Sequence, residues 1–295
     1  MEDNITTIII GNGFDINLGL PTSYTHFIQS PQFADLIGRG NRLAEYLKKK
    51  HELQNWVDIE NELKRYSIEE ADNNYKEDFR TLCFQLINYI NNIDYNLINT
   101  SSIGYGLIES FSENPNKFVV LDFNYTQSIK HILRRKFILS EEVNKQIIKV
   151  HGEASNNNII FGVEDDAPIK PEHVFLRKAF PRYYKAWNFN SLFSKSNQII
   201  FFGHSLGQTD HTYFKRLIQD SCNDGNNYGM HNTYLKNQLN KSFHFFFYGD
   251  KGYHDLLQQL DELTGQHLTN FRQFNDVSNY SANRTQSARS ATILE

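Results

Sequence analysis

One stretch near the N-terminus decides the fold of this chain: Ile5-Thr6-Thr7-Ile8-Ile9-Ile10-Gly11-Asn12-Gly13-Phe14-Asp15. Its first half is an almost uninterrupted apolar run, which is typical of a strand buried on both faces of a parallel sheet. Glycine has no Cβ atom, so Gly11 and Gly13 allow a tight turn and a close approach of the backbone to a ligand. A helix that begins after such a turn directs unpaired N–H groups at an anion. The stretch predicts either a pyrophosphate site at Gly11, Asn12 and Gly13 or a tight turn without a ligand, because the G-x-G-x-x-G fingerprint is incomplete.

Four further apolar runs have the same character as the first. Together they predict buried strands over residues 6–10, 118–123, 146–150, 198–202 and 243–248. Helical patterns separate most of these runs, which indicates an α/β protein with a Rossmann-like parallel sheet and helices on both faces. A weaker strand over 158–162 is expected to form a hairpin with 146–150.

A long helical region separates the first two predicted strands. Apolar residues recur at i, i+3 and i+4 in three segments of it, over 42–51, 56–66 and 75–92. We therefore expect a large helical insertion over 31–113 and a nucleotide-binding core built from 1–30 and 114–270. Residues 271–295 are polar and rich in Ser and Asn, which predicts a flexible C-terminal tail.

Composition narrows the possible partners of the chain. The formal net charge of −4 gives no basic surface for nucleic acid. The two cysteines do not form a disulfide framework, and the eleven histidines show no H-x-E or C-x-x-C spacing, so no metal site is expected. The sequence contains no signal peptide and no apolar stretch long enough for a membrane span, which predicts a cytoplasmic protein without a membrane partner.

Polar residues and glycines follow every predicted strand. The five groups are Gly11-Asn12-Gly13, Asp122 to Thr126, His151-Gly152, Gly203 to Gly207 with Asp210, and Tyr248-Gly249-Asp250. In doubly wound sheets, ligands bind outside the carboxyl ends of the strands. The sequence therefore predicts a small-molecule crevice at this end of the sheet.

Asn124 and His151 suit cleavage of a nucleotide at its N-glycosidic bond. The nicotinamide of NAD is a cation, so it leaves as a neutral ring without being protonated. The enzyme then needs to hold the ribose, stabilise an oxocarbenium-like carbon and supply a base. A histidine suits the base, and an asparagine can hold ribose or water through its donor and acceptor ends. In the alternative interpretation, Asn124 and Asp210 are helix N-caps and His151 is a hydrogen-bonded structural histidine.

A second chemistry, acyl transfer, competes for the fourth strand end. Gly203-His204-Ser205-Leu206-Gly207 after a strand matches the G-x-S-x-G nucleophile elbow. A triad then requires Asp250 with His254 or His267 farther along the chain. A serine hydrolase is therefore an alternative function, although it leaves Asn124 and the first glycine turn without a role.

The ordered motifs of this chain resemble the bacterial abortive-infection AbiH family. The resemblance rests on five motifs: Ile9 to Asp15, Gly19 to Tyr24 with Phe27, Phe123 to Thr126, Val150 to Gly152, and Phe202 to Gly207 with Asp210. It runs in order from about residue 5 to residue 215. It implies a role in bacterial antiphage defence.

AbiH-type sequences in turn resemble sirtuin-like NAD-processing domains, whose motifs are G-A-G-F-S, T-x-N-Y-D, H-G and G-Y-S with a following Asp. On this resemblance Asn124 and His151 are catalytic. The matching nucleotide-contacting residues are Gly11, Asn12, Gly13, Phe14, Asp15, Tyr125, Gly203, Ser205 and Asp210. Two positions depart from the pattern, because Asp15 stands where the pattern has Ser and Thr126 stands where it has Asp. The Asp of the pattern is a ribose-binding carboxylate, and Asp122 is a candidate substitute for it. The chain lacks zinc-binding cysteines, which argues against protein deacetylation.

We therefore expect an antiphage enzyme that hydrolyses NAD or a related nucleotide, with NAD as substrate or ligand and no metal. His151 is the expected general base and Asn124 positions ribose or water, while Ser205 and Asp210 contact the adenosine side or the ribose. A toxic enzyme needs restraint, so a homo-oligomer, a defence-system partner or a phage-derived trigger is expected. A nucleotide sensor without catalysis is the remaining alternative, motivated by Asp15 and Thr126.

Overall fold

The chain folds around a parallel sheet with helices on both faces. The structure is a computed structural model, and it describes residues 5–54, 59–136, 138–222 and 241–282. The six strands are β1 (Ile5–Ile10), β2 (Phe118–Asp122), β3 (Ile147–Lys149), β4 (Ser196–Phe202), β5 (Ser242–Phe247) and β6 (Asp276–Ser281). Their order is β3-β2-β1-β4-β5-β6 and every pairing is parallel. This is the strand order of dinucleotide-binding Rossmann domains, so the predicted fold class is confirmed.

The apolar runs are continuous because both faces of the sheet are covered. Ile8, Ile9 and Ile10 of β1 are fully buried. Ile8 and Ile10 belong to one hydrophobic cluster, whereas Ile9 belongs to a second cluster on the opposite face. Successive side chains of a strand point to opposite faces, so an unbroken apolar run is what a sheet with two covered faces requires.

Helices fill the connections between the strands. They are α1 (Asn12–Asn17), α2 (Tyr24–Ile28), α3 (Pro31–Gly38), α4 (Arg42–Gln54), α5 (Ile59–Glu69), α6 (Tyr75–Asn91), α7 (Ile103–Glu113), α8 (Ser128–Arg135), α9 (Glu141–Lys145), α10 (Asn190–Lys195), α11 (His211–Asp220), α12 (Gly249–Thr264) and α13 (Leu268–Phe274). Serine side chains cap several of them; Ser30, for example, accepts a hydrogen bond from the Phe33 amide at the start of α3. No helix in the described ranges has the length and apolar character to cross a membrane.

The region predicted as a helical insertion consists of α3 to α7 and packs over one face of the sheet. Leu63 of α5 and Leu82 of α6 are fully buried in the same cluster as Ile8 and Val120 of the central strands. The insertion therefore shares a hydrophobic core with the sheet, and it is held in place beside the carboxyl ends of the strands.

Residues 158–162, expected to form a hairpin strand, are a loop, so this prediction is wrong. The loop folds back onto the residues that follow β3, because the Ile160 amide donates to the His151 carbonyl oxygen at 2.7 Å. Gly152 has a φ of +72°, and a Cβ atom there would lie 2.0 Å from the Asn158 carbonyl oxygen. The loop and the residues after β3 therefore contact each other closely without pairing as strands.

The predicted flexible tail also needs correction, since β6 and most of α13 lie inside 271–295. β6 pairs along its whole length with β5, and the Tyr280 ring stacks on Phe246 with the centroids 5.0 Å apart. Asn275, between α13 and β6, donates from Nδ2 to the carbonyl oxygens of Ser221 and Phe271. A polar edge strand gives little hydrophobic signal in the sequence. The remaining predicted tail, residues 283–295, lies outside the described residues.

Candidate functional site

A cleft of ≈ 520 Å³ opens at the carboxyl ends of the central strands. It lies where the loops after β1 and β4 diverge, the point at which the strand order reverses and where Rossmann folds bind their ligands. All of the predicted site residues except Phe14 line this cleft. Its size is in the range of small-molecule sites.

Phe14, predicted among the nucleotide-contacting residues, is a core residue and does not line the cleft. Its side chain is fully buried and meets the Phe202 ring edge to face at a centroid distance of 5.6 Å. Phe14 follows the turn on the inward side of α1, and its ring packs beneath the cleft instead of lining it. The phenylalanine of this motif therefore contributes to the hydrophobic core.

The glycines after β1 allow its turn to lie directly against the turn after β4. The amide of Gly13 donates to the Gly203 carbonyl oxygen at 2.9 Å, and the amide of Gly11 donates to the Phe202 carbonyl oxygen at 3.1 Å. A Cβ atom on Gly13 would lie 2.6 Å from the Gly203 Cα atom. Both glycine amides are thus engaged by protein carbonyls, so in this conformation neither is available to a pyrophosphate.

Asp15 is a buried carboxyl group in the wall of the cleft. Thr126 donates from its hydroxyl to Asp15 Oδ2 at 2.6 Å, while Oδ1 has no hydrogen-bond partner among the described residues. Burial raises the pKa of Asp15 to about 6, although the hydroxyls of Ser128 and Thr126 favour the carboxylate. The two positions that depart from the sirtuin-like pattern are therefore hydrogen-bonded to each other.

Lys149 and Asp122 fix the loop that carries Asn124. Lys149 donates from Nζ to Asp122 Oδ2 at 2.8 Å and to the carbonyl oxygens of Asn124 at 2.7 Å and Thr126 at 2.5 Å. The Asn124 amide donates to Asp122 Oδ1 at 2.9 Å. Both Asp122 oxygens are thus occupied and Asp122 does not line the cleft, so it is no substitute for a ribose-binding carboxylate.

The side chain of Asn124 joins this loop to the first turn. Its Nδ2 donates to the Gly11 carbonyl oxygen at 3.1 Å, which fixes the plane of the amide at the cleft. Helix α8 begins at Ser128 with Gln127 as its N-cap, so the alternative role of Asn124 as a helix cap is wrong.

Asp210 is the centre of a buried cluster of charged and polar side chains. His151 Nε2 lies 3.3 Å from Oδ1, and His204 Nε2 lies 3.3 Å from Oδ2. Lys178 Nζ lies 3.4 Å from Oδ1 and 3.3 Å from Glu60 Oε2. We call these five residues the Asp210 cluster. Asp210 precedes α11 but caps it with no side-chain hydrogen bond, so its predicted capping role is not observed.

The electrostatics of the cluster favour an ionised Asp210 and a neutral His151. Burial alone would raise the pKa of Asp210, but Lys178 and the two imidazoles hold it well below its usual range. Burial lowers the pKa of His151, the nearby Lys178 lowers it further, and Asp210 opposes them. Burial also raises the pKa of Glu60 to about 7, against the attraction of Lys178.

Contacts on two sides of the His151 imidazole fix its orientation. Its ring meets Phe123 edge to face at a centroid distance of 5.0 Å, and Phe123 meets His204 at 4.5 Å. The Leu206 amide donates to His204 Nδ1 at 3.0 Å, so His204 directs its Nε2–H toward Asp210. His151 Nε2 lies 3.3 Å from Asp210 Oδ1 without a hydrogen bond of good geometry, and the nearby carboxylate favours the tautomer with its proton on Nε2, which leaves Nδ1 as an acceptor.

Ser205 lies at the cleft without the neighbours that a serine nucleophile needs. It is exposed, and its Oγ accepts a hydrogen bond from the Gly207 amide at 3.3 Å. No histidine in the described ranges makes a hydrogen bond to this oxygen. Asp250 and His254 of α12 are exposed and do not line the cleft. Neither His204 nor these residues supplies the base of a triad here.

The helical insertion forms the opposite wall of the cleft. Its contribution, which the sequence reasoning missed, is Glu60, Asn61, Lys64, Leu86, Tyr89 and Ile90. Lys178 and Lys149 were missed as well, because each acts through contacts that are remote in the sequence. Only the G-L-P-T-S-Y motif signalled a residue on this side, since Tyr24 lines the cleft. Within the described residues, no group of three or more His, Cys, Asp and Glu side chains is arranged to hold a metal ion.

The fold and the cleft define a Rossmann-like protein with a buried Asn, His and Asp constellation at the point where the strand order reverses. The family description "Bacteriophage abortive infection AbiH" matches residues 7–228, from β1 through α11. The chain belongs to this family. A search of curated proteins and a search of solved structures found no match.

Proposed function

We propose that this AbiH-family protein acts in antiphage defence by hydrolysing NAD, or a related nucleotide, at its N-glycosidic bond. The observation that carries the proposal is the convergence of Asn124 and His151 from separate strand ends on one cleft of ≈ 520 Å³ at the switch point of the sheet. The resemblance to sirtuin-like NAD-processing domains supports the same two residues.

His151 is the general base of the proposed reaction. The Asp210 carboxylate, 3.3 Å from His151 Nε2, favours the tautomer with its proton on Nε2, and this leaves Nδ1 to take a proton from water. Burial keeps the ring neutral by lowering its pKa, so the base form is present at neutral pH. The bond from the ribose carbon to the nicotinamide breaks with its electron pair on the ring nitrogen. Water then bonds to the carbon, and its proton goes to His151.

Asn124 holds the ribose or the attacking water. Its Nδ2 is directed at the Gly11 carbonyl oxygen, so the carbonyl end of the amide is the acceptor that remains for a substrate hydroxyl or for water. A fixed dipole of this kind stabilises a developing positive charge on the ribose carbon without reorganising during the reaction.

The rest of the nucleotide is bound by groups along the same cleft. Ser205 offers an exposed hydroxyl and Tyr125 forms part of the lining, whereas the Asp15 carboxyl in the cleft wall is fully buried and reaches no ligand in this conformation. Asp210 is engaged by three cationic or donor groups, so its proposed part is to orient His151 rather than to bind ribose. Because the amides of Gly11 and Gly13 donate to protein carbonyls, they do not hold the phosphates in this conformation.

The test is release of nicotinamide from NAD by the purified chain. His151→Ala is expected to lower the rate at least about a hundredfold, the usual size of a general-base contribution. Asn124→Ala is expected to have an effect of similar order. His254→Ala, an exposed histidine outside the cleft, is the matched control and keeps the wild-type rate. Equal release by wild type and His151→Ala refutes the assignment.

Two further measurements separate the alternatives. Tight nucleotide binding with no turnover over hours favours the sensor without catalysis. Restraint by a homo-oligomer, a defence-system partner or a phage-derived trigger belongs to the proposal as well. It predicts that cells carrying the wild-type chain lose NAD after phage infection, whereas cells carrying His151→Ala do not.

A further inference from the structure

We propose that Lys178, braced by Glu60 of the helical insertion, is a positioning residue for His151, because it holds the Asp210 oxygen that the imidazole faces. The contact chain runs His151–Asp210–Lys178–Glu60, with successive separations of 3.3, 3.4 and 3.3 Å. The catalytic role of these contacts rests on the proposed function, whereas the contacts themselves do not.

The backbone around Lys178 is built to deliver its side chain to Asp210. The Lys178 amide donates to the Val163 carbonyl oxygen at 2.8 Å, and the Val163 amide donates to the Leu176 carbonyl oxygen at the same distance. Gly162, with a φ of +150°, allows this approach, since a Cβ atom there would lie 2.0 Å from the Leu176 carbonyl oxygen. The long connection between β3 and β4 thus places one lysine behind the histidine.

Glu60 fixes the other end of the ammonium group. The side chains of Lys178 and Glu60 are 8% and 13% exposed, so this ion pair is shielded from water. The hydroxyl of Thr209, next to Asp210 in the chain, also stabilises the Glu60 carboxylate. A single ammonium group therefore bridges two largely shielded carboxylates, one from the insertion and one from the Rossmann core. This contact makes α5 a part of the site.

The ammonium group has two consequences for His151. It keeps Asp210 ionised, and the carboxylate 3.3 Å from His151 Nε2 favours the tautomer with its proton on Nε2 and Nδ1 unprotonated. It also places a positive charge beside the imidazole, which disfavours the protonated ring. The other ionisable groups that face His151 are Asp210 and His204. Lys178 touches neither nucleotide nor water in this scheme and acts through Asp210.

The test is an NMR titration of the His151 imidazole, which needs no substrate or turnover. Lys178→Met is expected to raise the His151 pKa by about one unit, a tenfold gain in proton affinity, because the repelling charge is removed and Asp210 remains. Lys178→Arg keeps the charge and is expected to keep the wild-type titration. Lys130→Met, which breaks the comparably buried pair with Glu153 outside the cleft, is the control and leaves His151 unchanged.

If Lys178→Met does not fold, Glu60→Gln with Lys178→Met removes the outer pair together and is expected to give the same rise. In nicotinamide release, Lys178→Met is expected to lower kcat about tenfold with little change in KM, and Lys178→Arg to restore most of it. An unshifted His151 titration in a folded Lys178→Met or double variant overturns the inference. If the purified protein does not turn over NAD, only the proposed function is refuted, because the titration of His151 still tests the role of Lys178.

Discussion

Asp15→Asn is expected to stabilise the protein at neutral pH. The Asp15 carboxyl is fully buried, and its pKa rises from an ordinary 3.8 to about 6 because of that burial. A raised pKa means that the folded protein binds the proton more tightly than the unfolded chain does. Ionisation therefore weakens folding as the pH rises from about 4 to about 6, and the full cost is present above that range.

The size of this cost follows from the shift. One pKa unit corresponds to about 1.4 kcal/mol, so the rise of Asp15 amounts to about 3 kcal/mol at pH 7.5. Asparagine has the same shape, accepts the Thr126 hydroxyl through its carbonyl oxygen and carries no charge. We expect the free energy of unfolding to increase by up to about 3 kcal/mol at pH 7.5 and by only about 1 kcal/mol at pH 4.5.

Urea denaturation of wild type and Asp15→Asn at pH 4.5, 6.0 and 7.5 measures this difference. Asp250→Asn, an exposed residue on α12, is the control and is expected to show no difference at any of the three pH values. A gain of equal size at pH 4.5 and 7.5, or a loss at pH 7.5, contradicts the reasoning, because the effect then does not come from ionisation. A carboxylate kept at such a cost in a cleft is typical of a functional group.

Three other outcomes follow from the site. Gly203→Ala is expected to cost more than about 2 kcal/mol in urea denaturation, since φ is +62° and a Cβ atom would lie 2.2 Å from a backbone nitrogen of α1. Gly38→Ala at the end of α3 has nothing within 4 Å and is the control, which is expected to keep or slightly raise stability. Ser205→Ala is expected to keep the kcat of nicotinamide release and to raise only KM, because Ser205 is proposed to bind the nucleotide and not to react. A fluorophosphonate is expected to leave the wild type unlabelled, and labelling that Ser205→Ala abolishes would favour the serine hydrolase. The kcat of nicotinamide release is expected to stay constant from pH 8 to pH 7 and to fall at lower pH with a midpoint below 6.5. Protonation removes the base form of His151, whose pKa is lowered by burial. A midpoint above 6.5 contradicts this.

The parts of the fold that bury apolar surface were predictable from the sequence. The unbroken run at Ile8 to Ile10 requires a strand covered on both faces, and the polar groups at the strand ends then had to meet at one edge. β6 and the loop over 158–162 were not predictable in the same way. A polar edge strand is held by backbone pairing and a few side-chain contacts, and the loop is set by the close return at Gly152.

The candidate site was predictable in its location but not in its partners. Asn124 and His151 carry a signal because each follows a buried strand. Lys178 and Glu60 carry none, since a lysine in a long connection and a glutamate near a helix start are ordinary residues on solvated surfaces. Only folding reveals that these two side chains are shielded from water and meet at Asp210.

The hydrogen bond between Thr126 and Asp15 has a consequence for how relatives of this chain diverge. The contact joins an acid at position 15 to a hydroxyl at position 126, and exchanging the two side chains would keep one acid and one hydroxyl in the pair. A substitution at one of the two positions alone would pair two acids or two hydroxyls in a buried environment. We expect positions 15 and 126 to co-vary in the lineage, and Asp15→Ser combined with Thr126→Asp to be tolerated better than either change by itself, as unfolding of the three variants would report.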